Sequence, residues 1–173
     1  MSQERRAIAS RTAIPMGLLV LACAFPPSAP TAAAASDSRI QQLEDRLAIE
    51  QLLTEYGRTL DNRDFAAYSK LFATNGEWKG ALGTYRGPAA IQAAMEKIFT
   101  DAAADIPKGR NFHVMSNFDV SVQGDRATAR SMFIFYKMEG SKPEAAVAGR
   151  YEDILIRENG VWRFLQRTAL PQG

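Results

Sequence analysis

The sequence predicts an α+β domain: helices packed on one face of a curved, mainly antiparallel sheet. Two observations carry this. Helical periodicity dominates the first part of the chain after residue 35, whereas strand-like alternation and turn signals fill the second. Helices followed by an antiparallel meander place the helices on one side of the sheet. Such a sheet, wrapped on three helices, makes a cone-shaped α+β barrel, and the cone is the default place for a ligand.

The elements follow in order. Residues 1–35 read as a secretory signal peptide: Arg5, Arg6 and Arg11, an apolar run from Ala13 to Phe25, and small residues up to Ala35. The run is shorter than the ~20 apolar residues of a membrane span, so an uncleaved anchor is the lesser reading. Arg5-Arg6 is a poor twin-arginine signal, and Val20-Leu21-Ala22-Cys23 is a weak lipoprotein box that would tether the protein through Cys23. The mature chain, 36–173, is expected as a single domain, exported to the periplasm or secreted, with no stable membrane insertion after cleavage.

After Ser38, apolar residues Ile40, Leu43, Leu47, Leu52, Leu53, Tyr56 and Leu60 recur at helical spacing. Asp61-Asn62-Arg63-Asp64 interrupts with capping residues. A short second helix is expected from Phe65 to Phe72, ended by Asn75-Gly76, with Glu77-Trp78-Lys79 a short strand. A glycine-rich loop leads to Pro88, the first residue of a third helix reaching about Thr100. Asn111 to Gln123 alternates, with Val114, Phe118, Val120 and Val122 on one face and His113, Met115 and Asn117 on the other. Strands are then expected over Arg126–Met138, Ala145–Arg157 and Val161–Ala169, with Asn159-Gly160 a strong hairpin signal.

Composition excludes several classes. The chain has 21 basic and 19 acidic residues, and removing the leader leaves 18 of each. A neutral mature chain has no overall pull on nucleic acid or anionic lipid. One cysteine, in the leader, gives no disulfide framework, and one histidine gives no histidine cluster for a catalytic metal. On these counts no metal is expected.

The chemistry rests on few residues. His113 is the sole imidazole, the side chain whose ordinary pKa lies nearest neutrality; it reads either as a structural histidine or as a base. Asp61 could cap the second helix, a role Asn62 or Asp64 could equally fill, or orient the imidazole and favour its protonated form. Tyr56 could belong to the core or point its hydroxyl into a cavity. Arg167 reads by default as a solvated strand residue. Trp78, Asn117 and Phe135 are candidate binding residues.

The segments AIEQLLTEYGRTLDNRD, EW, GTYRGPAAI, HVMSN and GRYEDILIRENGVWRF, in that order, resemble the SnoaL-like branch of the nuclear transport factor 2-like superfamily. Within it the chain is most similar to the hexachlorocyclohexane dehydrochlorinase group, and more distantly to bile-acid 7α-dehydratase and scytalone dehydratase. The resemblance implies a cofactor-independent lyase or isomerase, with Asp61 and His113 as a proton-abstracting dyad. It further implies an arginine, Arg167, facing the leaving group, a pocket tyrosine, Tyr56, and a continued H-x-x-x-N pattern at Asn117. The substrate would be a small apolar or hydroxylated molecule, and the protein a homodimer through the convex face of the sheet. Scytalone dehydratase has a second pocket histidine that this chain lacks. The alternative is a non-catalytic small-ligand-binding module of the same fold.

Overall fold

The structure, a computed structural model, describes residues 32–101 and 106–172. The expected leader therefore lies outside the described residues, apart from its last four alanines, which open the first helix.

Helix α1 runs Ala32–Asp61, beginning six residues before Ser38. Its C-terminal half supplies Ile49, Leu52, Leu53, Tyr56 and Leu60 to the core, while Ile40, Leu43 and Leu47, on the same expected stripe, are exposed. The helix ends in a Schellman motif: Asp64 N–H donates to Thr59 O (2.9 Å) and Arg63 N–H to Leu60 O (3.0 Å). The left-handed position of that motif is held by Arg63 (φ 56°) rather than by glycine.

Helix α2, Phe65–Ser69, is capped by Asp64, whose carboxylate accepts from Ala67 N–H at 2.9 Å. It stops short of the expected Phe72, which instead opens strand β1, Phe72–Gly80. Asn75-Gly76 does not end a helix; it lies in an irregular stretch of β1 where the pairing with the last strand shifts register. A Cβ on Gly76 would sit 2.7 Å from Phe164 O, so only glycine fits. The expected glycine-rich loop contains a further strand, β2 (Gly83–Arg86), before α3, Pro88–Asp101.

The remaining strands are β3 (Asn111–Gln123), β4 (Arg126–Glu139), β5 (Lys142–Glu158) and β6 (Val161–Gln172). The six-stranded sheet has the order β2-β1-β6-β5-β4-β3. All pairs are antiparallel except β1 with β6. Asn159 (φ 53°) and Gly160 (φ 79°) turn the last hairpin, the pair of positive φ values that a type I′ turn requires.

One expectation about β3 is corrected. The strand does not keep one parity: its pairing with β4 slips between Ser116 and Asp119, and Asn117 takes a left-handed conformation (φ 55°). This bulge swaps the inward face. His113 and Met115 face inward before it, Phe118, Val120 and Val122 after it, and Val114 is exposed.

Helix α1 lies across the sheet against β3 and β6. The core beneath it is aromatic: Tyr56 meets Tyr68, Tyr151 and Phe164, and Phe133 stacks on Tyr151 at 4.5 Å between centroids. Gly57 faces β3 at this crossing, where a Cβ would lie 3.4 Å from His113 Cβ.

Candidate active site

The open end of the cone holds a cavity of about 360 Å³ walled by Tyr56, Trp78, Met95, Phe99, Phe133 and Phe135, with His113 among its lining residues. Exposed Leu82 and Val147 mark where it meets solvent. A hollow of about 410 Å³ on the outer face of the sheet, between Asp119, Arg130, Glu152 and Thr168, is mostly polar and does not include His113. The cone cavity, among the described residues, couples an apolar wall to an imidazole, the usual form of a small-molecule site.

Asp61 is the last residue of α1, and His113 is the third residue of β3. Because Asp64 caps α2, the Asp61 carboxylate is free for other partners. Its Oδ1 lies 2.6 Å from His113 Nδ1, and its Oδ2 accepts the His113 backbone N–H at 2.8 Å. With Nδ1–H donating to the carboxylate, Nε2 carries the lone pair. Nε2 has no hydrogen-bond partner among the described residues, and the side chain, 7% exposed, borders the cavity. Phe135, the cross-strand neighbour of His113, sits 4.8 Å from the ring, centroid to centroid.

Two further residues, not singled out in the sequence, brace the dyad. Asn111, buried, donates through Nδ2 to Asp61 Oδ1 (3.0 Å) and accepts through Oδ1 from Arg63 Nη2 (3.0 Å). Arg63 Nη2 also reaches Ile106 O at 3.0 Å, and its guanidinium lies 3.7 Å from the centroid of Phe99. Because the arginine can only donate, it dictates which way the Asn111 amide points. The only local signal was the Asn111-x-His113 spacing, which puts both on one strand face. The partnership with Arg63 requires the fold.

Tyr56 is buried and its hydroxyl accepts the indole N–H of Trp78 at 2.9 Å. Both residues border the cavity, as does Phe135. The hydroxyl keeps a proton of its own to give.

Two candidates do not join them. Asn117 is exposed at the bulge, where the alternation that aligned it with His113 breaks. Arg167 is neither solvated nor on the cavity wall: it is fully buried, its guanidinium 3.9 Å from the ring centroids of both Tyr56 and Tyr151. Its Nε lies 3.3 Å from Asp153 Oδ1, in register on the neighbouring strand. The pair is held by charge and ring faces, since neither side chain makes a hydrogen bond of good geometry. Burial pushes the Asp153 carboxyl up to about 6, against the lowering effect of Arg167. Burial likewise drives the Tyr68 and Tyr151 hydroxyls well above the ordinary phenol range.

Lys137 is the remaining charged residue of the wall, with no earlier signal beyond its place in a strand. Among the described residues no group of three or more His, Cys, Asp or Glu side chains is arranged to hold a metal ion.

Comparison with known proteins agrees with the architecture. An uncharacterised protein of Mycobacterium tuberculosis is 28% identical over 134 residues, covering 74% of this chain and 86% of the relative. Its counterpart in Mycobacterium bovis matches equally. Among solved structures, an NTF2-like protein with a cystatin-like fold from Novosphingobium aromaticivorans superposes with a TM-score of 0.71 at 25% identity, covering 80% of this chain and 88% of that one. LinA gives 0.66 at 22% identity, covering 79% and 91% of the two chains, a likeness of fold. ActVI-ORFA from Streptomyces coelicolor gives 0.63 at 22% identity, covering 73% and 96%, again a likeness of fold. The model of the SnoaL-like domain matches residues 41–168, and the chain belongs to that family.

Proposed function

We propose that this protein is a lyase or isomerase of the dehydratase or dehydrohalogenase kind that needs no cofactor. It would remove a carbon-bound proton from a small, largely apolar or hydroxylated substrate. The observation that carries the reading is the 2.6 Å contact between Asp61 and His113 Nδ1 beside the apolar cavity. His113 Nε2 takes the proton; Asp61 holds the tautomer and favours the imidazolium that forms, as a carboxylate does for a catalytic histidine elsewhere. The Tyr56 hydroxyl, polarised by the Trp78 N–H, donates to the oxyanion or departing group. Positioned general-base action supplies ~10²–10⁴-fold, with electrostatic stabilisation adding to it.

The test is a panel of small halogenated, β-hydroxylated and enolisable compounds, assayed for elimination and for proton exchange in deuterated water. Turnover by the wild type that is lost in His113→Ala, with the fold retained, supports the reading; undiminished turnover in that variant ends it.

The withdrawal of Arg167 from the wall favours a second reading, a module that binds without reacting. Saturable binding of an apolar ligand with neither exchange nor elimination would select it. The reading also places the mature protein outside the cytoplasm after cleavage near Ala35, as a homodimer through the outer sheet face. N-terminal sequencing of the exported protein and its sedimentation behaviour test those two points.

A further inference from the structure

Along β4, residues 131, 133, 135 and 137 face the cone, so an apolar ladder of Phe133 and Phe135 ends in a lysine. Lys137 borders the cavity and pairs in register with Asn111, the residue that braces Asp61. Its neighbour on the other side, Glu144, is exposed, and the two form no ion pair. Among the described residues the lysines in ion pairs are Lys79 and Lys97. Lys137 is thus a half-buried residue on a mostly apolar wall, and among the described residues its ammonium has no carboxylate in an ion pair with it.

Such a charge is tolerable while water solvates it through the mouth of the cone. An occupant that displaces that water must replace it with an acceptor, and with negative charge to offset desolvation. One ammonium matches one small monoanion. A phosphate would call for several converging donors, such as an arginine fork or a helix N-terminus, and the nearby Arg63 already serves Asn111 and Ile106 O. Along the strand, Lys137 stands two residues from Phe135, the partner of His113. That step is about 7 Å, a distance a six-membered ring or short side chain spans.

We propose that the cone cavity takes a small aromatic or alicyclic carboxylic acid. Its carboxylate lies on the Lys137 ammonium, its ring among Phe99, Phe135 and Trp78, and its reacting carbon toward His113 Nε2. This names the substrate class of the proposed reaction and rests on that reading of the cavity as the reaction site.

Binding separates the two ideas because it needs no turnover. The full chain is titrated by calorimetry with 2-naphthoate and, as a neutral probe of the same size, 2-naphthamide. The imidazole resonance of His113 reports occupancy of the cone. The acid is expected to bind at least about ten-fold more tightly than the amide. In Lys137→Met the preference disappears by loss of acid affinity alone, and in Lys137→Arg it returns. Equal affinities in the wild type, a preference that survives Lys137→Met, or no binding of either probe overturns the proposal. Acid binding that depends on Lys137, without proton exchange in any assay, leaves this site standing while the lyase reading fails. Turnover of neutral substrates that is unaffected in Lys137→Met does the reverse.

Discussion

Asp61 takes two hydrogen bonds from His113, one from the ring Nδ1 at 2.6 Å and one from the backbone N–H at 2.8 Å. The second bond fixes the end of helix α1 against strand β3, and the first then sets the angle of the ring. The contact that orients the imidazole thus also joins the two elements that carry it. Asn111 adds a third donor, at 3.0 Å, on the oxygen that faces the ring.

Asp61→Asn should therefore leave the fold nearly intact while removing the negative charge that favours the imidazolium. Turnover is expected to fall by ~10²–10⁴-fold, with the melting temperature close to that of the wild type. A change of only a few-fold in rate would show that His113 acts without its carboxylate.

Arg63→Gly tests the brace. Glycine suits the left-handed position at the end of α1, where a non-glycine residue costs roughly 1–2 kcal/mol, so the helix end should tolerate the change. The Asn111 amide loses its donor and is free to rotate, and the Asp61 carboxylate loosens with it. Activity should fall about ten-fold or more, with displacement of the His113 imidazole resonance. An unmoved resonance would show that Asn111 keeps its orientation without Arg63.

The Asp153 carboxyl, raised from 3.8 to about 6 by burial, predicts the sign of a pH dependence. The folded state holds this proton more tightly than the unfolded chain does. The stability this contributes is fully present below pH 3.8 and is lost as pH rises through about 6. Urea unfolding at pH 4.5 and pH 7 should show this decline in the wild type and a flatter profile in Asp153→Asn. Asp45 acts in the opposite direction: its hydrogen bond from Arg157 holds its pKa below the usual carboxylate value, so its contribution is lost on acidification.

Gly149→Ala should destabilise by ~1–3 kcal/mol, because a Cβ there would meet Phe133 at 2.7 Å and Leu170 O at 2.6 Å. Phe133 stacks on Tyr151 and borders the cavity, so the variant should also weaken binding of any occupant. Denaturant unfolding and probe titration read the two effects; a neutral result in both would mean the ring moves aside freely.

Local pattern determined much of this protein. Asn111 and Gln123 bound β3 as the alternation implied, Pro88 starts α3, and Asn159-Gly160 turns the last hairpin. These features are written in neighbouring residues, since a strand period, a fixed proline φ and a left-handed turn depend on little else. Asp61 and His113 were legible as candidates through residue type and resemblance, but their contact was not, because 52 residues separate them. Tertiary structure decided that Asp64 rather than Asp61 caps α2, which leaves Asp61 for the imidazole. It also placed the bulge at Asn117, which reverses the face of β3 and turns that residue out to solvent. Arg167, indistinguishable in sequence from a surface arginine, is buried because two strands and α1 bring Asp153, Tyr56 and Tyr151 around it. The bracing by Arg63 and Asn111, and the place of Lys137 on a mostly apolar wall, depend on which strands are neighbours. Periodicity within one segment assigns a side chain to a face, but only the packing of segments decides what that face meets.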